Sequence, residues 1–348
     1  MISPGQHATT GQGRPLGAPK LLVFVDTEEE FDWSKPHSRA ETSVAHIKHQ
    51  IRTQSIFERF GIKPTYVVDY PVASQESGYR ILREWADDSK CQIGAHLHPW
   101  VNPPFEEDLS LRNSFPGNLP ARLEREKLAL LSRMIETNFL RRPTIYRAGR
   151  YGIGGNTGAV LEELGYEIDS SIVPYTDFST DHGPDFSNVD DEPFWFGPCD
   201  RIIELPLTVG WHGALRRYGA RYQRGLMSKR GVKLHIPGLL ARLRLLERIR
   251  LTPEGTSLAE LKRLTDATLR AGKRVFVFSF HSPSVEPGHT PYVRDVSDLR
   301  RFLALIEAFC EYFLGACGGE ASTPHAVRDL YVKPERHTNE SAIGATVW

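Results

Sequence analysis

The chain has 348 residues, and its 43 basic and 43 acidic side chains leave a formal net charge of zero. Hydrophobic residues make up 40% and aromatic residues 10% of the sequence. These values are ordinary for a globular protein and exclude a disordered chain, a collagen-like repeat and a disulfide-rich miniprotein. The zero net charge argues against nucleic acid as a partner of the whole molecule. The length suits one large α/β domain or two smaller ones.

The two ends of the chain lack apolar periodicity. Residues 1–20 contain no apolar stretch of the kind found in a secretory signal, and no segment approaches the roughly 20 apolar residues of a membrane-spanning helix. We therefore expect a cytoplasmic protein. Its folded domain is predicted at residues 20–317, with a flexible segment at 1–19 and a flexible tail at 318–348.

Short apolar runs of strand length alternate along the chain with segments of helical periodicity. Strands are predicted at 21–26, 64–69, 91–98, 144–148, 166–170, 202–209 and 274–280. Helices are predicted near 43–60, 78–86, 119–140, 156–164, 258–271 and 296–314. Strands that alternate with helices predict a mostly parallel sheet, with a functional site at the carboxyl ends of its strands.

A strongly basic insertion near residues 212–251 interrupts this alternation. Residues 216–250 contain eleven lysines and arginines and a single acid, Glu247, together with several leucines. A basic amphipathic segment of this kind can lie on an anionic membrane surface. A solvated helix packed on the domain is the alternative.

Most of the polar residues that could carry chemistry lie where a predicted strand ends. They are Asp26, Glu28, His96, His98, Arg147, Arg150, Asp169 and His281. In a parallel α/β barrel these strand ends converge on one mouth, whereas residues with a purely structural role would be scattered. Their shared placement therefore predicts one active site.

The tripeptide His96-Leu97-His98 predicts a metal site. Residues i and i+2 of an extended strand point to the same side, so the two imidazoles can reach one ion. Two histidines with a carboxylate are a usual catalytic zinc set, which makes Glu28 the candidate third ligand and Zn²⁺ the expected ion. The alternative is a histidine that caps the strand by bonding a carbonyl group.

Acid–base roles can be assigned to other residues of this group. Asp26 is the candidate base, because a carboxylate beside a metal ion can take a proton from water. The alternative is that it belongs, with residues 28–32, to a solvated acidic loop. Arg147 could pair with Asp26 and keep it ionised. His281 could protonate a leaving group if Asp169 orients its ring, and a structural histidine is the alternative.

Two further features carry weaker signals. Trp33 and Trp100 follow predicted strand ends, where flat apolar faces suit sugar rings as well as ordinary packing. The glycine-rich residues 149–158 lie between a predicted strand and a helix, but the pattern G-x-G-x-x-G fits at no register. This argues against a dinucleotide site.

Taken in chain order, five segments resemble the motifs of the polysaccharide deacetylases of the NodB-homology class, carbohydrate esterase family 4. They are VDTEEEF at 25–31, QIGAHLHPW at 92–100, YRAGRYG at 146–152, YEIDSS at 166–171 and FSFHSPS at 278–284. The run HSPSVEPGHTPYV at 281–293 is similar to a bacterial subgroup associated with exopolysaccharide synthesis. The resemblance covers roughly residues 20–315 and implies a single catalytic domain, a distorted (β/α)₇ barrel.

The resemblance also implies a reaction and a role for each residue. The reaction is metal-dependent removal of an N-acetyl or O-acetyl group from a sugar, oligosaccharide or polysaccharide precursor. The metal ligands would be Glu28, His96 and His98. The acid–base and supporting residues would be Asp26 as base, His281 as general acid, Arg147 beside the base, Asp169 beside His281, and Tyr151 as a backbone donor to the oxyanion.

The sequence departs from the family pattern at three places. Only Leu97 separates the two histidines of the second motif, where the family has three residues. The usual adjacent acid pair has become Asp26-Thr27-Glu28, and Ala148-Gly149 stand where prolines are common. Two alternatives stay open: a barrel that binds carbohydrate or a partner protein without turnover, and a hydrolase of non-sugar amides on the same fold.

Overall fold

The computed structural model describes residues 17–32, 34–215, 218, 240 and 245–332. Its strands are β1 (Lys20–Thr27), β2 (Thr65–Val68), β3 (Gln92–Leu97), β4 (Ile145–Ala148), β5 (Ile168–Asp169), β6 (Phe194–Phe196), β7 (Ile202–Glu204), β8 (Val209–His212), β9 (Glu247–Arg250), β10 (Val275–His281) and β11 (Glu320–Ala321). Its α-helices are α1 (Ile51–Arg59), α2 (Tyr70–Ser74), α3 (Glu76–Asp87), α4 (Ala121–Phe139), α5 (Thr157–Glu163), α6 (Leu258–Arg270), α7 (Val296–Glu311) and α8 (Pro324–Arg328).

The main sheet curls into an incomplete barrel. Its parallel strands follow the order β10-β1-β2-β3-β4-β5-β7, and β6 joins β7 in the antiparallel direction. The chain after β7 returns to β10, where the backbone N–H of Val277 donates to Thr208 Oγ1 at 2.9 Å. The predicted α/β class and the distorted seven-stranded barrel are thus confirmed.

The neighbouring strands β1 and β10 form because their sequences are almost entirely apolar. Residues 21–25 of β1 and 276–280 of β10 are at most 3% exposed. Alternate side chains enter two different apolar clusters, with Leu21 and Phe276 in one and Leu22 and Val277 in the other. A strand buried on both faces has this hydrophobic pattern.

The helices lie close to the predicted ranges, and two of them differ at an end. The predicted helix 43–60 begins as a 3₁₀ segment, Ala45–Gln50, before α1. The predicted helix 296–314 ends as an α-helix at Glu311 and continues as one π-helical segment, Tyr312–Ala316. Helix ends are set by local capping, which periodicity alone does not fix.

The strand register brings chemistry-bearing residues side by side. Asp26 at the end of β1 pairs with His281 at the end of β10, and His96 of β3 pairs with Arg147 of β4. Because these strands are parallel, their carboxyl ends form one edge of the barrel. The register therefore places the candidate base, acid and ligands around the same opening.

The two ends of the insertion near 212–251 pair with each other as antiparallel strands. The predicted strand 202–209 is divided into β7 and β8, and β8 pairs antiparallel with β9 in a separate two-stranded sheet. Most of 216–250 lies outside the described residues, so the contact of this segment with an anionic membrane stays a prediction. Among the described helices, none is both long enough and apolar enough to span a bilayer.

The C-terminal region is ordered further than the sequence predicts. Within the predicted tail 318–348, β11 pairs with the first residues of β1, and α8 places Val327 in a fully buried position. Two residues of strand and one turn of helix are too short to give a periodic signal, and tertiary contacts stabilise them. Residues 1–16, Trp33 and 333–348 lie outside the described part of the chain.

Candidate active site

A cavity of about 600 Å³ opens at the carboxyl ends of the barrel strands. The predicted site residues that line it are Asp26, Glu28, His96, His98, Trp100, Tyr151 and His281. Aromatic side chains such as Phe31, Phe178 and Tyr292 form much of its remaining wall. A concave, largely apolar site with a few convergent polar groups is the usual form of a small-molecule site.

Glu28, His96 and His98 form a group that can hold a metal ion. One ligand atom from each lies within 4.8 Å of the others, and all three residues are buried. Glu28 Oε2 lies 3.6 Å from His96 Nε2 and 3.5 Å from His98 Nε2. The shortened His-x-His spacing thus presents both imidazoles to one carboxylate, as alternation along an extended strand requires.

The other nitrogen of each imidazole is occupied by the protein. His96 Nδ1–H donates to the carbonyl of Arg147 at 2.9 Å, and His98 Nδ1–H donates to Glu29 Oε2 at 2.8 Å. Burial lowers the pKa of His96 and lowers that of His98 to about 4. Both rings are therefore neutral with Nε2 lone pairs free to coordinate, which is the state that a metal-binding histidine needs.

Glu28 is held in place through its backbone. Its N–H donates to Ser282 Oγ at 3.2 Å, the Ser282 hydroxyl bonds to His46 Nε2 at 2.7 Å, and His46 Nδ1–H donates to Glu30 Oε1 at 3.0 Å. Burial raises the pKa of the Glu28 carboxyl to about 7, and its Oε1 is buried without a hydrogen-bond partner among the described residues. An orphaned buried oxygen beside two neutral imidazoles fits a cation.

Asp26 is paired with Arg147, as predicted. Arg147 Nη1 donates to Asp26 Oδ1 at 2.6 Å, and both side chains are almost fully buried. Two further hydrogen bonds, from Nε to the carbonyl and from Nη2 to the hydroxyl of Ser170, fix the guanidinium. Burial by itself raises the pKa of Asp26, but the charge and hydrogen bond of Arg147, together with the neighbouring His96 and His281, outweigh it and the net pKa is lowered. Asp26 is therefore a carboxylate at neutral pH.

His281 is oriented by Glu254, and this corrects the expectation that Asp169 does so. His281 Nδ1 bonds to Glu254 Oε2 at 2.8 Å, which turns Nε2 towards Asp26 Oδ2 at 3.9 Å. Burial lowers the pKa of His281, but the charge and hydrogen bond of Glu254, together with the charges of Glu28 and Asp26, outweigh this and raise it to about 10. A histidine that is protonated and faces the cavity has the form required of a general acid.

We expect Glu254→Gln to weaken the acid role of His281. Removing the carboxylate lowers the His281 pKa and should reduce turnover by roughly 10-fold or more. An NMR titration of His281 measures the pKa directly. Asp169→Asn is the matched control and should leave that titration unchanged. A His281 pKa that moves in Asp169→Asn and not in Glu254→Gln would restore the sequence-based assignment.

Asp169 lies below the cavity in a carboxyl pair with Glu204. The two residues are register partners on β5 and β7, and Asp169 Oδ1 also accepts from Ser171 Oγ at 2.5 Å. Burial raises the pKa of Asp169 to about 6, and burial with the charge of Asp169 raises that of Glu204 well above its usual value. The pair therefore retains a proton near neutral pH.

This pair predicts a pH dependence of stability. The folded state holds a proton that the unfolded chain releases above about pH 4, so the free energy of unfolding falls as pH rises towards and beyond 6. Relative to Asp169→Asn, the wild type should lose on the order of 1–3 kcal/mol between about pH 4 and pH 7. Urea unfolding across this range measures the difference, and parallel curves for the two proteins would contradict it.

The aromatic candidates differ from expectation. Trp100 is only 2% exposed, stacks on His98 and His37 at 4.2 and 4.1 Å, and donates its Nε1–H to Glu29. Its ring faces pack against His37 and the candidate ligand His98, so it offers no platform to a sugar. Trp33 lies outside the described residues, and its substrate role stays a prediction.

Tyr151 lies at a backbone feature of the cavity wall. Arg150 and Tyr151 have positive φ values of 54° and 59°, in the left-handed region that non-glycine residues rarely adopt. Two such residues in succession are a form of backbone strain that clusters at functional sites. The role of the Tyr151 N–H as a donor to an oxyanion stays a prediction.

The sequence did not reveal the residues that hold the candidate catalytic and metal-binding side chains in place. Glu254 comes from the loop between β9 and α6, and His46 from the 3₁₀ segment before α1; neither follows a strand of the main sheet. No periodicity or motif marks them, because their partners are 27 and 236 residues away in the sequence. The one available signal for Ser282 was its position directly after His281.

Comparisons with known proteins concern the fold. No protein-family model matches the sequence, and no curated protein matches it significantly. Among solved structures, a proposed polysaccharide deacetylase from Mycobacterium smegmatis is 17% identical over 92% of this chain and 93% of its own, with a TM-score of 0.51.

Two other solved structures cover most of both chains. The Puue allantoinase is 14% identical over 89% of each chain, with a TM-score of 0.49. The Bc1960 peptidoglycan N-acetylglucosamine deacetylase is 8% identical over 93% of each chain, with a TM-score of 0.47. On the strength of the first match, the protein has the barrel fold of the NodB-homology polysaccharide deacetylases.

Proposed function

We propose that this protein is a metal-dependent hydrolase that removes acetyl groups, N-acetyl in the first place, from a sugar, oligosaccharide or polysaccharide precursor. One observation carries the proposal: an ionised Asp26, the Glu28–His96–His98 group and a protonated His281 line the same cavity. A base, a metal group and an acid around one cavity are the set that metal-assisted amide or ester hydrolysis needs.

The metal would be held by Glu28 Oε and the Nε2 atoms of His96 and His98. Two neutral imidazoles with one carboxylate favour Zn²⁺ and leave a coordination position open. When bound, such an ion acts as a Lewis acid towards an acyl oxygen and promotes ionisation of water. The buried Glu28 Oε1 without a partner and the occupied Nδ1 atoms of both histidines fit this assignment.

The other residues divide the proton transfers between them. Asp26 is kept ionised by Arg147 and accepts a proton from the attacking water. His281, held by Glu254, has its Nε2 in the same cavity and donates a proton to the leaving nitrogen or oxygen. The 3.9 Å between Asp26 Oδ2 and His281 Nε2 would let the base reach the water, and the acid the leaving atom, on one acyl carbon.

Acetate release from a panel of substrates tests the proposal. Purified protein is given acetylated hexosamine oligomers, O-acetylated sugars and non-sugar amides, before and after a chelator and with single divalent ions restored. We expect acetate from an acetylated sugar, loss after chelation, and recovery with Zn²⁺ or a related ion. His98→Ala should lose both bound metal and activity, whereas Arg125→Ala on the exposed face of α4 should retain them.

Three outcomes would contradict the proposal. Full acetate release by chelated protein and by His98→Ala would exclude the metal role. Sugar binding without acetate release, whichever metal ion is added, would indicate a non-catalytic carbohydrate-binding barrel. Hydrolysis confined to non-sugar amides would keep the chemistry and reject the substrate class.

A further inference from the structure

A second cavity adjoins the first on the side of Glu254. It has a volume of about 330 Å³ and shares Arg250, Thr252, Glu254 and Tyr292 with the larger cavity. Arg248 lines only the second one. Because the carboxylate that holds His281 belongs to both walls, the second cavity lies beside the position where the leaving group would be protonated.

The side of this second cavity formed by β9 carries two arginines. Arg248 and Arg250 are two residues apart on the strand, so their side chains leave it on the same face. Arg248 Nη1 donates to the carbonyl of Tyr175 at 2.7 Å and to Thr176 Oγ1 at 2.5 Å, and the Arg250 guanidinium lies 5.4 Å from the centre of the Tyr151 ring.

Neither arginine forms an ion pair in the described part of the chain. Arg263, Arg125 and Arg122 all have a carboxylate within 4.0 Å, whereas no such ion pair is found for Arg248 or Arg250 among residues 17–32, 34–215 and 245–332. Burial lowers the pKa of Arg248 to about 10, and the charge of Arg250 adds to this effect. Two neighbouring guanidiniums that form no ion pair add positive potential to this wall of the cavity.

The two acids of the second cavity are already engaged. Glu254 Oε2 bonds to His281 Nδ1, and its Oε1 accepts from Ser284 Oγ. Glu260 Oε2 accepts the backbone N–H and the hydroxyl of Ser257 in the capping box that begins α6. The bonds that engage them are to His281 and to serines, and neither acid forms an ion pair with Arg248 or Arg250 among the described residues.

We propose that this second cavity is an anion subsite, and that the substrate is an acetylated saccharide with a carboxylate or phosphate close to the acetylated sugar. A planar guanidinium binds both anions in bidentate fashion. The substrate class rests on the proposed hydrolase function, whereas the anion site stands on the two arginines and the cavity alone.

Binding measurements test the subsite without turnover. Isothermal titration compares glucosamine 1-phosphate, glucuronic acid and neutral methyl glucoside on the protein as purified. We expect at least one anionic sugar to bind 10-fold or more tightly than the neutral one. Tighter binding of glucosamine 1-phosphate would identify the anion as a phosphate, and tighter binding of glucuronic acid would identify it as a carboxylate. Arg250→Ala should remove this preference, and Arg250→Lys, which keeps the charge but not the planar fork, should remove part of it.

Arg125→Ala is the matched control, because it deletes one exposed arginine from α4 and changes the net charge equally. Its preference for the anionic sugar should equal that of the wild type. Equal affinity for charged and neutral sugars, an unchanged preference in Arg250→Ala, or the same loss in Arg125→Ala would overturn the subsite. A melting temperature near that of the wild type shows that each variant is folded.

Turnover separates failure of the subsite from failure of the proposed function. The ratio of kcat/KM for an acetylated anionic sugar to that for an N-acetylglucosamine oligomer should be above 10 in the wild type and fall at least 10-fold in Arg250→Ala. Anion-selective binding with no acetate from any saccharide rejects the function and retains the subsite. Acetate release with a ratio near one in both proteins retains the function and rejects the subsite.

Discussion

Asp26→Asn is expected to lower kcat for acetate release by about 10²–10⁴-fold, the usual contribution of a positioned general base. Asparagine can still accept the hydrogen bond from Arg147 Nη1, so the geometry of the pair is retained while the basic oxygen is lost. Bound metal should be unchanged, because Asp26 is not one of the three grouped ligands. Steady-state kinetics and elemental analysis on the same preparation measure the two quantities.

Asp32→Asn provides the matched control for this prediction. Asp32 belongs to the same acidic run, is exposed and does not line the cavity, and its carboxylate pairs with Lys35 at 3.1 Å. Its replacement removes the same charge and should change kcat less than about 2-fold, as expected for a surface substitution. An Asp26→Asn protein with wild-type turnover, or equal losses in both variants, would exclude Asp26 as the base.

Arg147→Met is expected to destabilise the protein by roughly 3–5 kcal/mol. The guanidinium is completely buried, forms three hydrogen bonds and lies 4.4 Å from the centre of the Phe24 ring. Methionine fills a similar volume but removes the counter-charge bonded to the buried Asp26 carboxylate and leaves it only His281, with Nε2 3.9 Å away, which is the main cost. Urea unfolding at neutral pH measures the change in the free energy of unfolding.

A double substitution separates the ion pair from simple packing. Asp26→Asn combined with Arg147→Met removes both charges, so the loss of stability should be smaller than in Arg147→Met alone, with a coupling energy on the order of 1–3 kcal/mol. Arg125→Met breaks an exposed pair with Glu163 and should cost less than about 1 kcal/mol. Additive effects in the double variant would show that the buried pair is not coupled.

The strands and their chemistry were largely predictable because both are local properties of the chain. An apolar run such as Leu21–Val25 has to be buried on both faces, and the acid that ends it has to lie at the edge of the sheet. The His96–His98 pair was predictable for the same reason, since alternation along a strand fixes the side to which i and i+2 point. The pairing of Asp26 with Arg147 required only that the strand ends converge.

Contacts between distant segments were not predictable in the same way. Glu254, not Asp169, holds His281, because the loop after β9 folds back over the end of β10 while Asp169 faces Glu204 across two neighbouring strands. Trp100 has the position expected of a sugar platform, yet packing against His37 and His98 buries it.

By itself the sequence determined the parallel α/β barrel, the edge at which its polar residues meet and the identity of the three metal-binding candidates. It also showed that the chain contains a strongly basic segment although its net charge is zero. Only the tertiary structure decided which carboxylate orients His281, which residues fix Glu28, and that Arg248 and Arg250 line one cavity and form no ion pair with any described residue. The physical reason is that periodicity reports the environment of each residue along its own element, whereas proton positions and charge balance depend on which elements pack together.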